Sequence, residues 1–433
     1  MQRSLAVIHV LGMMLVMFSA TYTLPILGSL IYQDGTTVIF LTAMAMTLVA
    51  GGSMWYLTRA EKRQLTIRHG FLLVVMMWTA MPAFATLPFL DRLSFTDAYF
   101  EAMSALTTSG GTVLVGLDTL PPAINLWRHE LQWLGGLGVI VLAVAVLPLL
   151  GIGGRQLFKA ETPGPMKDSS LAPRITETAR NLWLVYLTAT FICILVLKAV
   201  GMSWLDAICH AFSAVALGGF STHDASIGYF NSPLIEFVLI VFMLLAAVNF
   251  ATHFMVWHTK NWRLYLRDSE AIATISLLLT SIFVIAIFLW VLNVYPDFTM
   301  TLRHASFNLI SIATSSGYAS VDYARWPIFA PLFMLFLSCM AVSSGSTGGG
   351  IKMIRTLILF KQAGREFTKL LHPNVVNPIK IGGLVIPNNI VYAVLGFIFL
   401  YFMSIATLTF AMLLTGLDFI SAFSAILASV NNV

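Results

Sequence analysis

A short amphipathic segment that ends in small and hydroxylated residues constrains this chain most. Its first copy is Asp97–Gly111, DAYFEAMSALTTSGG, and it lies between long apolar runs. A helix from Ser94 to Thr107 would extend about 20 Å, which is short of a hydrocarbon core of about 30 Å. Non-helical backbone survives at membrane depth only if it is buried in protein or lines a water-filled cavity. The segment therefore predicts a helix that enters a membrane halfway and returns as a glycine-bearing strand.

The segment recurs about every 100 residues, as Asp206–Phe220, as His304–Tyr318 and as a run that begins at Asp418. Aligned copies share a serine and a glycine, at Ser104, Ser213 and Ser311 and at Gly110, Gly219 and Gly317. In the fourth copy, aligned on Asp418, Ser424 and Ala425 take the positions of Ser104 and Ala105. Four copies predict an internal repeat of helix, re-entrant loop and helix. Four strands also supply the four sides of a carbonyl ring that replaces the water shell of a cation.

Composition gives the class of protein. Hydrophobic residues make up 58% of the chain and charged residues 10%, against about 25% charged in soluble proteins. The chain is therefore expected to be an integral membrane protein with a retained first helix within Met1–Ile31. Most lysines and arginines fall in connections that share one side if the N-terminus is cytoplasmic, which predicts that the re-entrant loops enter from outside.

The most specific motifs are TTSGGT at 107–112, LGGFST at 217–222, TSSGY at 314–318 and SSGSTGGGIKMIR at 343–355. With them the chain resembles the bacterial TrkH/KtrB family of potassium-uptake subunits, which belongs to a superfamily with the fungal Trk and plant HKT transporters. The resemblance covers nearly the whole chain. It implies an all-α integral membrane protein with four pseudo-symmetric helix–pore loop–helix repeats around a central pore, preceded by two extra transmembrane helices. The family's fourth filter, a Gly-Pro-Gly-type segment, would begin where this sequence ends, so the fourth repeat is expected to be truncated before its filter.

The predicted layout has five parts. They are the two extra helices in 1–68, pore repeat 1 in 69–155, pore repeat 2 with a preceding cytoplasmic loop in 156–267, pore repeat 3 in 268–372 and pore repeat 4 in 373–433.

The filter is predicted to bind K⁺, the transported ion, through backbone carbonyls, since the side chains differ too much between copies to be equivalent ligands. The predicted filter residues are Thr108, Ser109, Gly110, Gly111, Leu217, Gly218, Gly219, Ser315, Ser316 and Gly317. The alternative is that these Ser/Gly clusters are contacts of small residues between packed helices. No organic cofactor is expected in this chain.

A glycine-rich segment at 343–350 interrupts the second helix of the third repeat, and four of its residues are glycine. The predicted gating loop comprises Ser343, Ser344, Gly345, Ser346, Thr347, Gly348, Gly349 and Gly350, followed by Lys352 as a cation that would repel K⁺. About 14 residues of helix precede the break, or about 21 Å, which places it inside the bilayer. The alternative is a flexible turn at the membrane surface.

Arg128 and Glu130 are expected to form an ion pair.

The motifs of nucleotide-binding, zinc and paired-cysteine sites are missing from the sequence, so we do not expect an enzyme. The predicted function is K⁺ uptake across a bacterial inner membrane through a selective, gated pore. The alternatives are a Na⁺- or H⁺-coupled K⁺ symporter and, from another class, a membrane-embedded enzyme or scaffold. The resemblance implies a homodimer and cytoplasmic TrkA/KtrA-type nucleotide-binding subunits, with the basic loops Gly151–Arg180 and Lys361–Lys380 as docking surfaces. Lipid is the remaining expected partner, and nucleic acid is not one.

Overall fold

A computed structural model describes residues 5–59, 67–138 and 175–433. The part of the Gly151–Arg180 loop at 151–174 lies outside these residues. The described chain is almost entirely helical and falls into two compact units, one ending at Phe230 and the other beginning at Asn231.

The first unit contains eight helices within its described residues, α1 to α8. Their bounds are Leu5–Ser19, Thr23–Tyr32, Thr37–Leu57, Ile67–Ala85, Phe95–Leu106, Pro122–Trp133, Ile175–Ala199 and Trp204–Ala216. The second unit contains helices α9 to α16. Their bounds are Pro233–Ala247, Phe250–Thr259, Ser269–Val291, Phe298–Ala313, Phe329–Ser338, Met353–Leu371, Asn388–Leu413 and Phe419–Asn431.

Six stretches of the described residues are long and apolar enough to cross a membrane. They are Leu5–Tyr32, Thr37–Leu57, His69–Phe89, Arg180–Ala199, Ser269–Val291 and Asn388–Leu413. The helices that carry the repeat are shorter, with 12 residues in α5, 13 in α8, 16 in α12 and 13 in α16. These lengths agree with the prediction of helices that enter a membrane without crossing it.

The core of the first unit depends on close helix approach. A Cβ on Gly12 would lie 2.8 Å from the carbonyl oxygen of Gly51, and one on Gly51 would lie 2.8 Å from that of Gly12. Small residues at such a crossing allow van der Waals contact between backbones, which drives helix association in membranes. Trp127 of α6 stacks on Tyr22 with ring centroids 4.5 Å apart and donates its indole N–H to the carbonyl of Ala85.

The second unit contains two interrupted apolar stretches. The first is bent by 96° between α9 and α10, where Asn249 caps α10 through its side-chain oxygen. The second is broken between α13 and α14, as the glycine-rich segment predicted. A hairpin of strands β1, Lys380–Ile381, and β2, Leu384–Val385, precedes α15. Gly382 and Gly383 form its turn, each with positive φ.

Candidate functional site

The four helices that carry the repeat, α5, α8, α12 and α16, are each followed within two residues by a residue of left-handed backbone conformation. The φ angles are 59° at Thr108, 56° at Leu217, 62° at Ser315 and 55° at Asn432. Each of these residues donates its N–H to the carbonyl three residues earlier. The following N–H reaches the carbonyl five residues back, over 2.9 Å (Ser109 to Ser104), 2.9 Å (Gly218 to Ser213), 2.8 Å (Ser316 to Ser311) and 3.0 Å (Val433 to Ala428). These two bonds form a Schellman ending, so the copies share one backbone geometry at the end of the helix.

This geometry corrects the register predicted for the fourth copy. Asp418 is the N-cap of α16 and accepts from the N–H of Ser421, as Ser94 accepts from the N–H of Asp97. Asp418 is therefore equivalent to Ser94 and not to Asp97. The prediction that Ser424 matches Ser104 is wrong, because Ala428 holds that position.

A second left-handed residue follows two positions later in the first three copies. It is a glycine each time, with φ of 75° at Gly110, 75° at Gly219 and 84° at Gly317. Gly111, by contrast, has no positive φ, and a Cβ there would make an ordinary contact with the Phe100 ring at 3.5 Å. The two neighbouring glycines of the first strand therefore differ in backbone conformation, although the sequence analysis assigned both to the filter.

Strain accompanies the first left-handed position. A left-handed conformation costs an ordinary residue about 1–2 kcal/mol, and a β-branched residue such as Thr108 adopts it rarely. Strained backbone of this kind persists only where its surroundings over-determine it, and it clusters at functional sites. An ordinary strand alternates the direction of its carbonyls, whereas backbone that alternates between left- and right-handed residues turns successive carbonyls toward one side.

Side chains missed by the sequence analysis secure the returning strands. Seven residues before the first left-handed residue of each of the first three copies, the helix presents Glu101, His210 or Asn308, all buried. The Glu101 carboxylate accepts from Thr112 Oγ1 and, over 3.0 Å, from the N–H of Val113. A shared polar position within apolar helices was the sequence signal that could have revealed them.

The second and third strands have the same kind of attachment. His210 Nε2 lies 2.9 Å from Ser221 Oγ, and Asn308 Nδ2 donates to Ser320 Oγ over the same distance. The N–H of Ser320 also donates to Asn308 Oδ1. We call Glu101, His210 and Asn308 the strand clamps.

Arg128 of α6 joins the strands of the first two repeats. Its Nε lies 2.7 Å from Glu101 Oε1, and both side chains are fully buried. Its other nitrogens donate to Thr112 Oγ1 and to the carbonyl of Ser221, and its guanidinium stacks on the Phe220 ring. The predicted partner, Glu130, is therefore wrong: Glu101 faces Arg128, and Glu130 Oε2 is buried without a hydrogen-bond partner.

Gln132, one helical turn after Arg128, supports the second strand from behind. Its Nε2 donates to the carbonyl of Gly218 over 2.5 Å, and its Oε1 accepts from Ser213 Oγ and from the N–H of Phe220. A Cβ on Gly218 would lie 2.5 Å from the Gln132 side chain, so a larger residue there would have to displace the Gln132 amide and its hydrogen bonds. This contact fixes the orientation of one predicted filter carbonyl.

The loops that follow the returning strands of the first two repeats are also linked. Asp224 accepts from the N–H groups of Gly116 and Leu117, and Asp118 accepts from the N–H of Asp224. His223 Nδ1 lies 2.5 Å from Asp118 Oδ1. This hydrogen bond is the main cause that holds the pKa of Asp118 below its ordinary value. Asp118 therefore stays negatively charged at neutral pH.

The predicted gating loop is packed inside the second unit. The N–H groups of Ser343 and Thr347 donate to the carbonyls of Ala247 and Ala246 over 2.9 and 3.4 Å, and the carbonyl of Gly345 accepts from the N–H of Phe250 over 3.0 Å. Two carbonyls of the flanking chain accept from the residues that follow the loop, at 2.7 Å each (Ile351 to Cys339 and Met353 to Val342). Ser343 and Ser344 are buried, so these residues do not form an exposed turn.

Two glycines bring this loop against the ends of α12 and α16. A Cβ on Gly348 would lie 2.9 Å from the carbonyl oxygen of Thr314, and one on Gly349 would overlap the carbonyl oxygen of Asn431. The N–H of Gly349 also donates to Ser315 Oγ over 2.9 Å. The structure thus brings the predicted gating loop together with the third predicted filter strand.

Lys352 folds back over the loop. Its Nζ donates to the carbonyls of Gly348 and Ser346, and the residue is buried. Arg355, one turn later, donates to the carbonyl of Ile351 and stacks on the Phe397 ring at 4.2 Å. The lysine therefore has a structural role that the sequence did not predict, because it ties the loop to the start of α14.

The short helices are followed by returning strands, buried side chains hold these strands, and two apolar stretches are interrupted. Together these features define a multi-pass membrane protein with pore-loop repeats. The family model described as TrkH, cation transport protein, matches residues 36–433. The chain is 44% identical to the Trk system potassium uptake protein TrkH of Salmonella typhimurium over 432 residues, covering 99% of this chain and 89% of the relative. It is 39% identical to the Trk system potassium uptake protein TrkG of Escherichia coli K12 over 433 residues, covering 99% and 89%.

Among solved structures, the potassium transporter TrkH from Vibrio parahaemolyticus matches with a TM-score of 0.89 and 42% identity, covering 99% of this chain and 89% of that one. The chain belongs to the TrkH family of cation transport proteins. The fold class predicted from the sequence is confirmed, as is the prediction that the protein is a transporter and not an enzyme.

Proposed function

We propose that this chain takes up K⁺ across a bacterial inner membrane through a channel-like, selective pore. The supporting observation is the repeated backbone of the predicted filter strands, with left-handed residues at Thr108 and Gly110, at Leu217 and Gly219 and at Ser315 and Gly317. Carbonyls turned to one side are the ligands that replace the water shell of a dehydrated cation. An inside-negative membrane potential drives entry with about 2.3 kcal/mol per charge per 100 mV. The named relatives, which are Trk system potassium uptake proteins, favour K⁺ as the ion.

In this proposal the loop at 343–350 gates the pore. The loop contacts the end of the third pore helix, and the chain continues from the loop into α14, which begins at Met353. The far part of α14 exposes Lys361 and Lys369 together with Phe367, Leu370 and Leu371. A cytoplasmic partner of the TrkA/KtrA type that binds this surface would pull the loop through α14. Homodimer formation and a cytoplasmic N-terminus belong to the same proposal.

Ion flux into liposomes tests the central claim. Purified protein would be reconstituted with a fixed inside-negative potential, and uptake of K⁺, Rb⁺, Na⁺ and Li⁺ would be compared. We expect K⁺ and Rb⁺ to enter faster than Na⁺ and Li⁺, with flux set by the potential alone. Equal entry of all four ions would contradict a carbonyl filter.

One observation favours the symporter alternative. Glu130 is a buried carboxylic acid in α6 whose Oε2 has no hydrogen-bond partner, and buried titratable groups in membrane segments often belong to proton relays. If K⁺ uptake in the same liposomes stops when a Na⁺ or H⁺ gradient is collapsed at constant potential, the protein is a symporter. Loss of that dependence in Glu130→Gln would assign the coupling to this residue.

A further inference from the structure

An apolar cavity lies beside the bend between α9 and α10. Its volume is about 480 Å³, within the range of roughly 300–1,000 Å³ common to ligand sites. Leu244, Leu245 and Val248 line it from the bend, and Ile272 and Ile275 line it from α11. This lining suits a hydrocarbon chain.

A basic segment of the chain forms part of the wall of this cavity. The short 3₁₀ helix Trp262–Arg267 contributes Tyr265 and Leu266 to the lining of the cavity. Arg263, Arg267 and Trp262 are exposed on this helix, and Lys260, two residues before it, is also exposed. Tryptophan and basic residues together are typical of a helix at the membrane interface, where the basic residues attract anionic lipids.

The nearest carboxylates are engaged elsewhere. Asp268 accepts from Thr252 Oγ1 and from the N–H groups that it caps at the start of α11, and Glu270 accepts from the N–H of Ser344. The three basic side chains are therefore the charges of this segment that are oriented to solvent. They complement a negatively charged headgroup.

The cavity shares a wall with the loop at 343–350. Leu245 and Val248 flank Ala246 and Ala247, whose carbonyls hold the N–H groups of Thr347 and Ser343. Any occupant that fixes the bend also fixes these two acceptors. Occupancy of the cavity is thus linked to the conformation of the loop.

We propose that this cavity binds one acyl chain of an anionic phospholipid, whose headgroup lies on Lys260, Arg263 and Arg267. The bound lipid stabilises the bend and, through it, the packed position of the loop. This regulatory consequence depends on the proposed function, whereas lipid binding itself does not.

Lipid retention tests binding without any transport measurement. The full chain would be purified from membranes containing phosphatidylcholine with or without phosphatidylglycerol, and bound lipid would be counted by native mass spectrometry. We expect phosphatidylglycerol to be retained and Arg263→Gln combined with Arg267→Gln to weaken retention about 30-fold, since each basic residue near such a surface contributes about 1 kcal/mol. Arg325→Gln, which changes an exposed arginine paired with Asp322, is the matched control and should retain lipid normally.

Ile275→Trp, which fills the cavity, should also reduce retention while leaving the melting temperature in detergent close to that of the unmodified protein. Inorganic phosphate at millimolar concentration should not displace the lipid, because the acyl chain contributes to binding. Equal retention of both lipids, or unchanged retention in the double and Ile275→Trp variants, would overturn the proposal. A change of dimer content without any change of bound lipid in Ile275→Trp would assign this face to a second copy of the chain and would also overturn it.

If the K⁺ proposal holds, phosphatidylglycerol should lower basal flux in the unmodified protein but not in the double variant. Lipid retention without this flux effect would leave the site intact and overturn the link to the loop.

Discussion

The strand after α5 and the loop at 343–350 are both irregular backbone, but they are held in different ways. The strand is held by buried side chains, with Glu101 gripping Thr112 and Val113 and Arg128 behind it. The loop is held mainly by backbone hydrogen bonds, by glycines that fit against other carbonyls, and by Lys352 and Glu270, which bond neutral backbone groups. Breaking a buried ion pair costs more than exchanging hydrogen bonds to neutral backbone groups. The comparison supports our proposal that selectivity depends on a fixed element and gating on a movable one.

The largest expected effect comes from removing the clamp of the first strand. Glu101→Ala leaves Arg128 buried without its carboxylate, which should destabilise the protein by about 3–5 kcal/mol. Thermal unfolding in detergent, followed by tryptophan fluorescence, measures the loss. Combining it with Arg128→Met removes the uncompensated charge and should restore much of the stability. A double variant as unstable as Glu101→Ala would show that the unpaired charge of Arg128 is not the cause of the loss.

Crowding the loop should have the next largest effect. A Cβ in Gly349→Ala overlaps the carbonyl oxygen of Asn431, and overpacking of this kind costs about 1–3 kcal/mol. We expect the loop to leave its packed position and partner-independent K⁺ flux to rise about tenfold or more, with K⁺/Na⁺ selectivity unchanged. Gly364→Ala, in the open face of α14, is the control and should leave flux unaltered. Equal flux in both variants would argue that the gate lies elsewhere.

Selectivity should respond to one of two adjacent glycines. Gly110→Ala places a side chain at φ of 75°, which costs about 1–2 kcal/mol and should reduce K⁺ over Na⁺ discrimination about tenfold. Gly111→Ala meets only an ordinary ring contact and should keep the permeability ratio near that of the unmodified protein. The measurement is the K⁺/Na⁺ permeability ratio at matched protein levels. A similar loss in both variants would contradict the assigned roles of the two positions.

The smallest effect is expected from Lys352→Met, which keeps the side-chain length but removes the bonds to the Gly348 and Ser346 carbonyls. Net loss of a hydrogen bond from a charged group costs about 1.5–3 kcal/mol, but methionine also removes the desolvation cost of the buried ammonium, so flux should rise only a few-fold. Lys352→Arg, which preserves the donor and the charge, should stay close to the unmodified protein. A rise of the same size in Lys352→Arg would show that packing and not hydrogen bonding matters here.

Sequence reasoning predicted the repeat well where local chemistry decides the structure. The apolar runs, the short helices and the break before Met353 follow from length, hydrophobicity and glycine content. The fourth register failed because Asp occupies two different positions of a helix start, the N-cap at Asp418 and the third helical residue at Asp97.

The clamp positions left a signal in the sequence, but their partners could not be predicted, because residues such as Glu101 and Arg128 are 27 positions apart and meet only through tertiary packing. The same holds for Gln132 and Gly218, which are 86 positions apart. The pairing of Arg128 with Glu130 was wrong for a related reason, since two positions along a helix do not face each other.

The brevity of the pore helices has a consequence for biosynthesis. With 12 residues in α5 and 13 in both α8 and α16, none has the roughly 17–25 apolar residues that insert into a bilayer as an independent span. Their polar returns tolerate membrane depth only inside a protein cavity, which neighbouring spans must first create. We therefore expect each pore segment to enter the membrane only after neighbouring spans have assembled. The order of synthesis would then be part of the information that specifies the pore.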